Sequence, residues 1–218
     1  LKEIRELFRK DLMLELRQKY AINGILLYVL STIFVAQLCF GRVIDENTWI
    51  ALFWIILLFA AFNAVSKSFV QESASRRLYY FMLAPAVAVV VSKMLYNATL
   101  MVVLGLLSLL IFIVFMGFPV FNLALFLPAF ILGCFGLASA LTMVSAIASR
   151  SGNNAALMAI LGFPVVIPLL LLLINASSFS LKKTLLTVDI LKNLSSILLI
   201  DVVIVTLAVI LFPYLWRD

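Results

Sequence analysis

The sequence predicts an all-α integral membrane protein: six transmembrane helices, an N-terminal interfacial helix, and a charged cytosolic segment between spans 2 and 3. Three observations carry this. Of the 218 residues, 66% are hydrophobic and 12% charged, whereas about a quarter of a soluble domain is charged. The mean hydropathy is +1.23. The charges are also collected between long charge-free intervals, with the basic ones biased to one side. The chain reads as one membrane domain over residues 1–218, with an interfacial helix at 1–20, a cytosolic segment at 66–93 and an outer-surface segment at 175–194.

From Leu1 to Tyr20, charges alternate with Leu1, Ile4, Phe8, Leu12 and Leu16, whose spacing of three and four puts them on one helical face. Lys2, Arg5, Arg9, Lys10, Arg17 and Lys19 then reach headgroups from the other faces, as in a helix lying in the membrane plane. A helix packed on a partner is the alternative. Tyr20 to Gly41 is free of charge and gives span 1; Asn47 to Ser66 gives span 2.

The stretch from Ser66 to Lys93 is the long interruption with charges of both signs: Lys67, Glu72, Arg76, Arg77 and Lys93, beside the pair Tyr79 and Tyr80. Its apolar run from Phe81 to Ser92 contains Pro85 and is shorter than the about 20 residues a crossing helix needs. We read a short amphipathic helix, a bend at Ala84-Pro85, and an approach to the next span. Both a docking surface for a soluble partner and a solvated loop held by headgroups fit that pattern.

Met94 to Ser149 carries no charge at all, too long for one helix. It divides into spans 3 and 4 at Met116-Gly117-Phe118-Pro119, where glycine and proline mark a turn. Span 4 holds Gly133, Gly136, Ser139 and Ala140, small residues at spacings that let helix backbones approach; packing and the lining of a pathway both fit. Ser149 to Asn154 is a tight cytosolic turn around Arg150. Span 5 covers Ala155 to Ile174, where Gly162-Phe163-Pro164 and Pro168 read as a broken helix and a candidate for movement. Asn175 to Asn193 places Leu181, Leu185, Val188 and Leu191 on one face of a short outer-surface helix. Span 6 runs from Ser195 to Phe212 with Asp201 inside it. About two turns from the outer end, this carboxylate is expected to snorkel or meet water, a buried functional group being the alternative. Gln37, Asn23, Asn63 and Asn97 are expected to bond helix to helix, and Cys39 and Cys134 to be core thiols.

With the N-terminus inside, 12 of the 16 basic residues fall on the cytosolic side. Arg42, Lys182, Lys183 and Lys192 remain outside. The bias places both termini in the cytosol. The net charge of +6 is spread over short inter-span segments and concerns topology, not nucleic acid. No apolar leader resembling a removable signal peptide opens the sequence, and the initial Leu1 implies that a few native residues precede it.

Chemistry of its own is not expected. The chain has no histidine, the usual general base and the commonest metal and haem ligand. None of its eight glycines has another glycine five positions on, so a phosphate loop is absent. No catalytic, cofactor-binding or metal site is predicted.

Three stretches nevertheless resemble one family: Glu72 followed by Arg77-Leu78-Tyr79-Tyr80-Phe81-Met82-Leu83-Ala84-Pro85 and Ser92-Lys93; Leu132-Gly133-Cys134-Phe135-Gly136 followed by the Arg150 turn; and the proline-bearing run from Leu161 to Leu170. Together with Glu15-Leu16-Arg17-Gln18-Lys19-Tyr20, and in this order over nearly the whole length, they are similar to the B subunit of the cytochrome c maturation haem exporter. That subunit is the permease-type component of an ABC-2-like system. One departure stands out. The family's Gly-Ser/Thr-Leu-Glu signature is replaced by Ala74-Ser75-Arg76-Arg77-Leu78.

The resemblance implies a multi-pass protein of the bacterial inner membrane. Its implied partners are an ATP-binding ABC subunit, other cytochrome c maturation membrane subunits, a haem chaperone, the lipid bilayer and a second copy of itself. ATP would sit on the partner and haem would be handled by the complex, with neither bound directly by this chain. Residues 66–93 then become the coupling segment, with Glu72, Arg76, Arg77, Tyr79, Tyr80 and Arg150 docking the ATPase. Asp201, Pro164 and Pro168 are the intramembrane candidates. An ABC-2 permease for lipid, polysaccharide or drug, and a non-transporting scaffold of an assembly complex, are the alternatives.

Overall fold

The computed structural model describes residues 2–17, 19–41, 44–66, 85–149, 154–181 and 188–217. Its helices are α1 (Lys2–Arg17), α2 (Lys19–Phe40), α3 (Glu46–Val65), α4 (Ala86–Met116), α5 (Leu123–Ala148), α6 (Asn154–Ser178) and α7 (Val188–Arg217), with a 3-10 turn at Phe179–Leu181. Among the described residues, six helices, α2 to α7, are long and apolar enough to cross a membrane.

α5 is the centre of the bundle and packs against α3, α4, α6 and α7. Its sequence explains why. Gly133, Gly136, Ala138, Ser139, Ala140 and Thr142 are all buried, and such small side chains let helices approach where no hydrophobic effect draws them together in lipid. α2, α6 and α7 form the rim, and their exposed leucines and isoleucines are what a lipid-facing surface requires.

The end of the bundle opposite α1 is locked by aromatic rings. Trp49 meets Phe112 edge-on at 4.9 Å, and Phe53 touches Phe112, Phe126 and Phe130. The hairpin between α4 and α5 falls where the sequence puts it. α4 ends at Met116, and Gly117 takes φ +78°, a conformation glycine adopts without steric penalty. The Gly117 carbonyl accepts a 3.2 Å bond from the Trp49 indole. The Ser180 carbonyl accepts from the amides of Phe121 and Asn122, which fastens the turn after α6 to the start of α5.

Four expectations are corrected. Span 3 was expected from Met94, yet α4 starts at Ala86, so residues 86–93 are its first two turns. Pro85 supplies the cause: it precedes the helix with φ −65°, and its carbonyl accepts from the amide of Ala88. Lys93 does not end the span because it is buried against α1. Second, there is no separate outer-surface helix at the described positions of 175–194: Asn175 to Ser178 finish α6, and Val188 onward already belongs to α7. Third, Pro164 and Pro168 lie inside an unbroken α6. Each removes an N–H, from the carbonyls of Ile160 and Pro164, but packing across the seam holds the helix: Gly162 admits the ring of Phe62, and Phe163 meets that ring at 5.3 Å. Fourth, Cys134 is buried as expected but Cys39 is exposed.

Six crossings make a topological prediction. In a variant lacking Cys39 and Cys134, single cysteines at Asp218 and at Lys182 are expected to label from opposite faces of the membrane, Asp218 from the cytosol. Labelling of both from one face would contradict the six-span fold.

Candidate functional site

Two places are built for more than packing: the α1 end of the bundle and a seam inside it. Glu72, Arg76, Arg77, Tyr79, Tyr80 and Arg150 lie outside the described residues. Their flanks do not. Ser66 follows α3 and Pro85 precedes α4 at the α1 end, where α5 also ends at Ser149 and α6 begins at Asn154. The chain therefore leaves and re-enters the bundle for both of these segments at the face that carries α1. Beneath that face, Ser145 donates to the Val65 carbonyl at 3.3 Å, tying the end of α3 to α5. One turn deeper, Asn97 of α4 donates to Thr142 of α5 at 2.8 Å, the helix-to-helix bond expected of it. Asn63, by contrast, donates within its own helix to Phe59.

The face of α1 departs in part from the expected one. Ile4 and Phe8 are partly buried as their spacing predicts, but Leu12 is exposed, while Leu7, Asp11 and Glu15, four apart, are partly buried beside Ile4. The two acids decide this. Glu15 accepts from the Tyr96 hydroxyl at 2.9 Å, and the Asp11 carboxylate lies 3.9 Å from the Lys93 ammonium and 3.1 Å from that of Lys10. Leaving Lys93, 3% exposed, without an acid would be far more costly than turning Leu12 outward to an apolar surrounding. Asp11, Glu15 and Tyr96 were missed by the sequence reading. The signal was there as acids on a helical stripe with Ile4 and Leu7.

The seam lies between α5, α6 and α7. Asp201 is buried, 3% exposed, which overturns the expectation that it snorkels. Its carboxylate presses on the bare Cα of Gly136, so a methyl group there would overlap Oδ1, and Leu169, next to Pro168, closes the same spot from α6. Asp201 thus shares this spot with Leu169, whereas Pro164 and Pro168 are exposed and turn away from it. Neither carboxylate oxygen has a hydrogen-bond partner among the described residues, and neither does Ser139 Oγ, one turn further along α5. The described parts of α5 and α6 carry no basic residue. Deeper in the fold, Gly133 faces the ring of Trp54, whose indole donates to Ser177 at 2.9 Å. Among the described residues no three His, Cys, Asp or Glu side chains cluster as a metal site would.

The bundle is thus a long α4, a central α5 of small residues and a proline-bearing α6 packed beside it. The family model of the CcmB protein matches residues 2–215. The chain belongs to the CcmB family. It is a membrane subunit of the cytochrome c maturation haem exporter, a permease-type component. The match takes in α1 and nearly the whole of the six candidate spans. A comparison with curated proteins finds no match.

Proposed function

We propose that this CcmB-family chain turns ATP hydrolysis by a separate subunit into haem export, or into release of the haem-loaded chaperone. It does so from the bacterial inner membrane with both termini in the cytosol. The observation that carries the reading is the family match over residues 2–215, joined to a bundle whose charged segments emerge at the α1 end. Chemistry has to come from elsewhere, because the chain has neither a histidine nor a phosphate loop. Docking through Glu72, Arg76, Arg77, Tyr79, Tyr80 and Arg150 supplies the contact, and Asp201 with the Pro164–Pro168 stretch supplies the part of the bundle able to respond.

Affinity purification of the tagged chain from native membranes tests this. An ABC ATPase together with haem-handling subunits is expected. An ATPase accompanied by a glycan- or lipid-handling enzyme would make the chain a different exporter, and recovery without any ATPase would make it a scaffold.

A second expectation concerns haem. Purified alone, the chain is expected to give no strong stoichiometric Soret band, because imidazole ligation is closed to it. Tight axial ligation by its methionines or tyrosines would contradict the division of labour.

A further inference from the structure

α1 precedes α2 in the chain but packs mainly on α4. It holds α4 by two polar contacts on successive turns of the same stripe, Asp11 to Lys93 and Glu15 to Tyr96. On the preceding turn, Leu7 reaches a cluster that combines Val90 of α4, Ala146 of α5, and Ala208 and Phe212 of α7. One face of α1 therefore grips α4 and packs on a cluster to which the ends of α5 and α7 also contribute. The grip lies close to Pro85: Lys93 is eight residues on, about 12 Å at 1.5 Å per residue.

An ion pair this buried is a poor source of stability, since well-packed apolar residues often do as well or better. What such a pair does supply is an attachment, because parting it takes from a buried charge an opposite charge that compensates it. α1 is thus held to α4.

We infer that Asp11, Glu15, Lys93 and Tyr96 form the joint that makes α1 and the start of α4 move as one piece, so that movement at Pro85 reaches the cluster where α4 meets the ends of α5 and α7. They are positioning residues, not docking residues. This rests on the coupling reading above, and goes beyond it by naming the part that transmits.

The test uses the complete membrane complex and three readings: ATPase retained on the chain, ATP hydrolysed, and cytochrome c matured per ATP. Tyr96→Phe removes one hydroxyl and Asp11→Asn one charge. Both variants are expected to retain the ATPase and its hydrolysis. Matured cytochrome c per ATP should fall about tenfold in Asp11→Asn, which corresponds to roughly 1.4 kcal/mol of lost coupling. Exchanging the charges, Asp11→Lys with Lys93→Asp, should recover most of it, and it keeps the test open if Asp11→Asn accumulates poorly. An unchanged yield per ATP in Tyr96→Phe and in the single-charge variant overturns the joint. So does a loss of yield that only follows lost ATPase binding, which would make α1 part of the docking face. Failure of the wild-type complex to hold any ATPase would instead sink the coupling reading, and is seen before any variant is made.

Discussion

Gly133→Leu is expected to leave little of the chain folded in the membrane, while Gly24→Ala is expected to be silent. Both positions are glycines within spans, so helix propensity alone does not separate them. Their surroundings do. Nothing lies within 4 Å of a methyl group built on Gly24. A methyl on Gly133 overlaps the Trp54 ring and meets Leu173 at 2.8 Å. Trp54 is fully buried and cannot swing away without giving up its 2.9 Å bond to Ser177. Overpacking costs about 1–3 kcal/mol, and an orphaned buried donor adds about 1–3 kcal/mol. Together they come to about 2–6 kcal/mol, which reaches the lower end of a typical domain's stability of about 5–15 kcal/mol. Gly133→Ala should fall between the two, and Trp54→Phe should lose the bond but relieve the overlap. Monodispersity and thermal aggregation after detergent extraction would measure this; a Gly133→Leu protein as stable as wild type would mean that α3 and α5 do not pack as described.

The spans were legible because five lie in charge-free intervals and the sixth is interrupted only by Asp201, and the hairpin because Gly117 and Pro119 have no good place inside a helix. The beginning of α4 was not. Lys93 reads as a charge that closes a loop, and only its burial against Asp11, near the start of the sequence, removes that meaning. The face of α1 was partly misread for the same reason: Tyr96, which Glu15 meets, stands 81 residues away in the chain. For Asp201, sequence position gave a depth but not a neighbour. Its burial depends on Gly136 having no side chain, a property of another helix. The unbroken course of α6 through Pro164 and Pro168 likewise depends on α3 bracing it. Family order along the chain was legible throughout, since it needs no contacts.

Arg76→Glu with Arg77→Glu is expected to abolish ATPase recruitment and cytochrome c maturation together, with insertion intact. The segment leaves from Ser66 and returns at Pro85, so none of the six spans is altered. Guanidinium groups form forked, charge-assisted bonds to carboxylates, and reversing two of them replaces attraction by repulsion. Tyr79→Ala with Tyr80→Ala removes amphipathic anchors of the kind that dominate binding, where one loss of about 2 kcal/mol or more is common, roughly a thirtyfold loss of affinity. The measurement that tests the account most directly is the amount of ATPase that co-purifies with equal amounts of inserted wild-type and Arg76→Glu/Arg77→Glu chain, read beside maturation in the same cells. The account predicts that ATPase and matured cytochrome c disappear together. Full retention of both would contradict it, and would move the search for the contact to the turn at Arg150.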